Sequence, residues 1–208
     1  MIKALATMLF SVLLCLGSVG DGSAQQSTTQ GWVFGFDLGG DVVSFENKPS
    51  DIGVLVGPLR VGYGLNRIVT LYASASYADI DVQEFDAFDK VTFAHVDYGV
   101  RLHLANSRRW VPYGDLALTF WPVSDVLKNG EQTTTDFSGL PSFSLGGGLA
   151  IYLSEAWALD VNFKLGKGYF KDVEVDNILD GGTSEHLHKF LDIHAESTRL
   201  TVGVSWWP

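Results

Sequence analysis

His95, Asp97, Arg101 and His103 occupy odd positions of one stretch, about 91–104, in which Ala94, Val96, Tyr98, Val100, Leu102 and Leu104 take the even ones. Side chains of a strand alternate faces with period two. This spacing therefore gathers two imidazoles, a carboxylate and a guanidinium on one face and leaves the other apolar. Such groups can form a proton-switchable network or hold a metal ion. Eight residues of extended chain separate the two histidines by about 25 Å, so they cannot share one ion. The preferred reading is a set of buried polar partners. A second collection, Glu185, His186, His188, Asp192 and His194, offers the ligand types of a zinc or copper site. It meets no established ligand spacing, and a solvated loop accounts for it better. Gly146, Gly147 and Gly148 lack the lysine and the helix of a phosphate loop, so glycine in a tightly curved strand is preferred. No metal site and no cofactor are expected.

The same alternation runs through eight stretches: about 31–44, 53–65, 68–80, 91–104, 110–121, 141–153, 157–170 and 198–207. In the last, Thr198, Leu200, Val202, Val204 and Trp206 share one face, and Arg199, Thr201, Gly203 and Ser205 the other. In the second, Leu55, Leu59, Val61, Tyr63 and Leu65 are set against Arg60. The connections alternate between short turns and long polar loops, as in an up-and-down barrel that crosses an outer membrane. An even strand count places both termini on the short-turn side.

Three features turn the apolar face outward, toward lipid. The stretches run about 10–14 residues, against about 5–6 for strands of soluble proteins, and a tilted spanning strand needs about 9–11. The polar face carries charges of both signs: Asp37, Asp41, Arg60, Asp97, Arg101, Asp115, Asp160, Lys164, Glu196 and Arg199, with His95 and His103 beside them. Opposite charges can pair inside a narrow barrel, where unpaired ones are costly. Aromatic residues collect near strand ends, and Trp32, Tyr63, Tyr77, Trp110, Trp157, Tyr169 and Trp206 are read as an interfacial girdle. The expected fold is all-β: an eight-stranded antiparallel up-and-down transmembrane β-barrel. Side chains fill a barrel of that size, so the interior is expected to be plugged.

Residues 1–24 read as a secretory signal peptide, with Lys3 before an apolar run over residues 4–16 and small residues up to Ala24. Residues 25–208 then form the barrel domain. Cys15, the single cysteine, lies in that leader, so the exported chain has no thiol chemistry. A net charge of −10 excludes the basic face that nucleic acid requires.

Trp110-Val111-Pro112-Tyr113-Gly114 resembles the "W-x-P-Y-x-G" opening of a middle strand in the small outer-membrane barrel superfamily, which includes the OmpA transmembrane domain, OmpX and the Opa-type opacity proteins. Residues 144–149, followed by Leu153-Ser154-Glu155-Ala156-Trp157-Ala158-Leu159, resemble the glycine-rich strand, short turn and "W-x-L" strand of that group. The final strand resembles the signal read by the outer-membrane insertion machinery. That signal usually ends in an outward aromatic residue; here Trp207 and Pro208 follow Trp206. The peptidoglycan-binding module of full-length OmpA is not expected. The resemblance implies a cell-envelope protein of the outer membrane, in contact with outer-membrane lipid and lipopolysaccharide and assembled by the insertion machinery. The expected state is a monomer. The expected role is non-enzymatic, membrane-structural or surface-interacting in the manner of adhesins and opacity proteins. A narrow conduit for ions or small solutes is the second reading. A lipid A-modifying enzyme is the third, although the deacylase pattern of a His two residues before a Ser is not found. Acidic loop residues, among them Asp79, Asp81, Glu84, Asp86, Asp89, Asp172, Glu174, Asp176 and Asp180, could meet lipopolysaccharide phosphates only through divalent cations; solvation is the preferred account.

Overall fold

A computed structural model of the chain describes residues 29–45, 51–81, 90–104, 109–121, 123–128, 131–136, 139–170, 173–178, 184–190 and 193–208. The strands are β1 (Gly31–Phe45), β2 (Asp51–Gly64), β3 (Val69–Asp81), β4 (Lys90–His103), β5 (Trp110–Phe120), β6 (Val123–Lys128) and β7 (Glu131–Asp136). They continue with β8 (Gly139–Leu140), β9 (Ser142–Tyr152), β10 (Trp157–Phe170), β11 (Val173–Ile178), β12 (Ser184–Phe190) and β13 (Ile193–Trp206). Eight of them close a ring in the order β1-β2-β3-β4-β5-β9-β10-β13, with β13 returning to β1 and every pair antiparallel. Closure satisfies every wall strand on both edges, which lipid demands because it offers no hydrogen bonds of its own.

The wall is inside-out relative to a water-soluble barrel. Phe34, Phe36, Leu38, Leu59, Leu116, Leu145, Phe163 and Leu165 are exposed, whereas Asp37, Asp97, Arg101, Asp115, Asp160 and Arg199 are buried. Along β10 the outward side chains run from Trp157 through Leu165 before the first charge, Lys167. Those eight steps cover about 26 Å of strand, or about 20 Å of height at a tilt near 40°, close to the ~25 Å apolar band of outer-membrane barrels. The girdle residues Trp32, Tyr63, Tyr77, Trp110, Trp157 and Trp206 are exposed, and Tyr169 is half-buried. Trp32 packs edge-on against Tyr63, and Trp157 stacks on Trp206.

The described short turns at 65–68 and 153–156 lie at one rim, with Thr29 beside the first and Trp207 beside the second. Side chains fix two of these turns: Asn66 Oδ1 accepts the amides of Ile68 and Val69, and Ser154 Oγ accepts that of Trp157. At the opposite rim the polar connections are not all loop. β6 pairs with β4, β7 with β6, β11 with β7 and β12 with β11, so the ladder continues beyond the barrel as an outer sheet. β13 begins at Ile193, five residues before the alternation at Thr198 becomes apolar.

One irregularity corrects the expected phase of the second strand. A bulge between Val56 and Leu59 breaks register with both neighbours, and Gly57 there has φ +57°, a backbone state that suits glycine. Below the bulge Leu59, Val61 and Tyr63 face out; above it Val54 does. Alternation carried straight through would put Leu55 outward instead. The side chain of Leu55 itself lies outside the described residues.

Candidate functional site

Each wall strand sends every second side chain into the lumen, and these residues meet in four tiers. At the level of β10 Asp160, four strands converge on one carboxylate. Arg60 Nη2 (2.8 Å) and Arg101 Nη1 (2.7 Å) donate to it, as do the hydroxyls of Tyr113 and Ser205. Arg101 also donates through Nε (2.9 Å) and Nη2 (3.0 Å) to the two oxygens of Asp115, a fork-to-fork pair across β4 and β5. Its guanidinium lies 3.6 Å from the centroid of the Tyr113 ring. Asn162 donates to Asp115, and Arg60 reaches Asp37 at 3.5 Å.

The tier nearer the outer rim centres on Asp97. It accepts from Lys164 Nζ (2.8 Å), Arg199 Nη1 (3.1 Å) and the Thr119 hydroxyl (2.7 Å). Lys164 also donates to the Tyr72 hydroxyl. Between the two tiers lies a cavity of about 30 Å³ lined by polar residues, among them Asp37, Arg60, Asp97, Arg101 and Arg199. This is space for about two water molecules. Asp37 Oδ1 and Arg199 Nε are buried without a protein partner, and both residues line that cavity.

The outermost tier joins His95, Asp41 and Ser197. His95 Nε2 donates to Asp41 Oδ2 (2.8 Å), and the Ser197 hydroxyl donates to Asp41 Oδ1 (2.7 Å). These residue types match a hydrolytic triad, but the carboxylate occupies the centre. The described contacts run from serine to aspartate and from histidine to aspartate, so the imidazole is not set to take the serine proton. The indole of Trp121 closes edge-on over His95, with ring centroids 4.4 Å apart. The innermost tier is apolar: Trp207 joins Val33, Val111, Tyr113, Ala150, Tyr152 and Ala158. His103 lies beside it, its Nε2 3.1 Å from the Thr70 hydroxyl.

The described interior thus holds five carboxylates (Asp37, Asp41, Asp97, Asp115, Asp160) against four fixed cations (Arg60, Arg101, Lys164, Arg199), all buried. Eleven of the twelve polar residues singled out from the sequence lie here. Glu196 is the correction. Parity along β13 groups it with Thr198 and Leu200, and its side chain is 66% exposed outside the barrel, paired with Lys167 at 3.1 Å. His95 and His103 sit in different tiers. Of the acidic and histidine-rich loop residues, His194 is described, exposed and packed on Tyr169. Asp79 is exposed at the same rim and accepts from Thr92. The side chains of Glu185, His186 and His188, and Asp192, lie outside the described residues. Among the described residues no three His, Cys, Asp or Glu side chains form a metal-holding group. Among the interior residues not singled out from the sequence are Ser197, which lies before the alternation read from Thr198, Trp121, which continues the inward parity of Asp115, Ala117 and Thr119, and Trp207, which continues that of Ser205.

The fold is similar to that of neisserial surface protein A, with a TM-score of 0.58 and 16% identity over 85% of this chain and 97% of that one. It is also similar to outer membrane protein OprG of Pseudomonas aeruginosa, with a TM-score of 0.54 and 10% identity over 88% and 98%. At such identities the likeness is one of architecture. No curated protein sequence matches the chain. The sequence pattern of the outer membrane protein beta-barrel domain family matches residues 11–206. The apolar exterior and closed antiparallel ring accord with a barrel that spans the outer membrane, and this chain belongs to that family, as a small β-barrel of the outer membrane.

Proposed function

We propose that this protein is a closed, non-enzymatic barrel whose task lies in its outer sheet: surface interaction on a membrane-anchored platform. The supporting observation is the pairing of β6, β7, β11 and β12 into one ladder that grows from the barrel wall beyond the apolar band. Paired strands hold a surface in a fixed shape, which suits recognition by loops on a rigid scaffold. The ion pairs that cross the lumen weigh against a conduit, since a permeating solute would have to break several of them at once. The arrangement of Ser197, Asp41 and His95 weighs against hydrolysis at that cluster. In this reading residues 1–24 direct export, the insertion machinery reads a strand signal that ends at the outward Trp206, and the barrel works as a monomer in lipid and lipopolysaccharide.

The test exchanges residues 123–136 and 173–190 for short turns. The trimmed barrel is expected to fold with heat-modifiable migration. Cells that carry it should lose at least tenfold in retention on protein- or polysaccharide-coated surfaces relative to cells with the full chain. Equal retention, or large steady single-channel currents from the full chain in planar bilayers, would overturn the proposal.

A further inference from the structure

The two central tiers carry unequal charge. The Asp160 tier holds the buried carboxylates of Asp37, Asp115 and Asp160 against the guanidinium groups of Arg60 and Arg101. The Asp97 tier holds a single carboxylate against Lys164 and Arg199. Each tier alone therefore carries a unit charge, negative in the first and positive in the second, and only together are they neutral. Yet among the described residues the hydrogen bonds and ion pairs of each tier stay within it.

The least satisfied member of each tier borders the space between them. Asp37 meets Arg60 only at 3.5 Å, and its Oδ1 is buried without a protein partner. Its ladder neighbour on β13 is Gly203, where even a Cβ would collide with that oxygen, so no side-chain donor can come from there. Arg199 gives Nη1 and Nη2 to Asp97 at 3.1 and 3.4 Å, and its Nε is likewise buried without a partner. Both residues line the polar cavity between the tiers, together with Ser74, Ser76 and Thr201.

We infer that this cavity is a built water site, and that water held in it joins Asp37 to Arg199 as a solvent-separated ion pair. A cavity of about 30 Å³ suffices for about two water molecules, and this one is polar. The two unpartnered atoms are one acceptor and one donor. Water serves both, donating to Asp37 Oδ1 and accepting from Arg199 Nε. An anion would satisfy Arg199 and be repelled by Asp37. A metal ion would meet Arg60, Arg101, Lys164 and Arg199 around the same space. A bridging water is nearly as favourable as a direct hydrogen bond, whereas two polar atoms left bare in a dry cavity are costly. The water thus completes one neutral lattice from two charged halves.

The test reads the Nε–H proton of Arg199 by NMR, in barrel labelled with nitrogen-15 arginine and folded in lipid nanodiscs; Arg199→Lys identifies the signal. The expected result is a cross-peak to water with the sign of a long-lived bound molecule. Ser74 stands between Arg60 and Asp97 in the ladder and lines the cavity. Ser74→Val, which fills part of the space with methyl groups, should lose the cross-peak and lower the urea midpoint. Ser74→Ala, which leaves the space open, should keep the cross-peak. Asp37→Asn with Arg199→Gln should shift the midpoint by less than the sum of the single shifts, because the two groups act through one bridge. Absence of the cross-peak in the unmodified protein, its survival in Ser74→Val, or a midpoint raised by that substitution as in the filling of a dry cavity would overturn the inference. So would additive shifts in the double variant. An Arg199 Nε resonance that moves when gluconate replaces chloride would make the occupant an anion and overturn it too. Where a variant fails to reach the heat-modifiable form, the spectrum of the unmodified protein decides.

Discussion

Replacing Arg101 by methionine removes the most connected cation of the lumen while keeping most of its volume. Three charge-assisted hydrogen bonds are lost, two to Asp115 and one to Asp160. The two carboxylates fare differently. Asp160 keeps Arg60, Tyr113 and Ser205, but Asp115 is left with Asn162 alone, and both are buried. Leaving one buried charge without its partner costs about 3–5 kcal/mol. Converting that charge to a neutral amide of the same shape should recover much of the loss. Arg101→Met with Asp115→Asn is therefore expected to be less destabilised than the sum of the single variants by about 2 kcal/mol or more, the size of coupling found between groups in direct contact. Urea titration of protein folded in phosphatidylcholine vesicles, with the folded fraction read from unheated gel migration, gives all four corners of the cycle. A loss below about 1 kcal/mol for Arg101→Met, or strict additivity in the double variant, would refute the account of the lumen as a coupled ionic lattice.

Further outcomes follow from other parts of the wall. Phe163→Arg, outward within the apolar band, should cost about 2–4 kcal/mol in the same titration, whereas Val42→Arg at its outer edge should cost about 0–1 kcal/mol; equal losses would displace the band. Gly148→Ala would press a methyl group onto the Val161 carbonyl and the Tyr113 hydroxyl, while Gly114 has nothing nearer than 4.0 Å. The first substitution should cost about 1–3 kcal/mol from overpacking and the second far less, a contrast that urea midpoints will show. Trp207→Ala empties the apolar inner tier and should cost about 3–5 kcal/mol, yet the barrel should still insert, because Trp206 keeps its outward place at 41% exposure while Trp207 is only 7% exposed. Heat-modifiable migration together with urea stability separates those two effects.

The membrane-spanning architecture was legible because period-two alternation is written directly in side-chain polarity. In β4 and β13 each residue from Ala94 to His103 and from Thr198 to Ser205 takes the side that its parity gives. Parity fails where the backbone adds a residue, as at Gly57, and where polarity is consulted instead of position, as with Glu196. The outer strands were harder to see because their sequences, such as Glu131–Asp136, lack the sustained apolar alternation of the wall. Even so, Asn129-Gly130 joins β6 to β7 as a two-residue connection between paired Lys128 and Glu131, a hairpin signal in plain view. Pairing inside the lumen was not legible at all. Arg60 finds Asp160, and Arg199 finds Asp97 although Asp41 stands opposite it in the ladder. Such choices depend on the barrel's cross-section and on side-chain length, which alternation does not encode.

The partners of the central lattice also constrain how the barrel is assembled. Arg60 and Asp160 lie 100 residues apart, Arg60 and Ser205 145, and Asp41 and Ser197 156. Some contacts close within one hairpin, as Arg101 with Asp115 and Arg60 with Asp37, but Asp160 and Asp97 draw their cations from distant strands, Arg60 and Arg101 for the first and Lys164 and Arg199 for the second. Were hairpins to enter the bilayer one at a time, Asp160, Asp97 and Asp41 would each reach hydrocarbon without partners that lie on other hairpins. The lattice makes partial insertion unfavourable and the joined first and last strands strongly favoured. Wetting of the nascent lumen must last until β13 meets β1, so ring closure and passage into the membrane form one cooperative event.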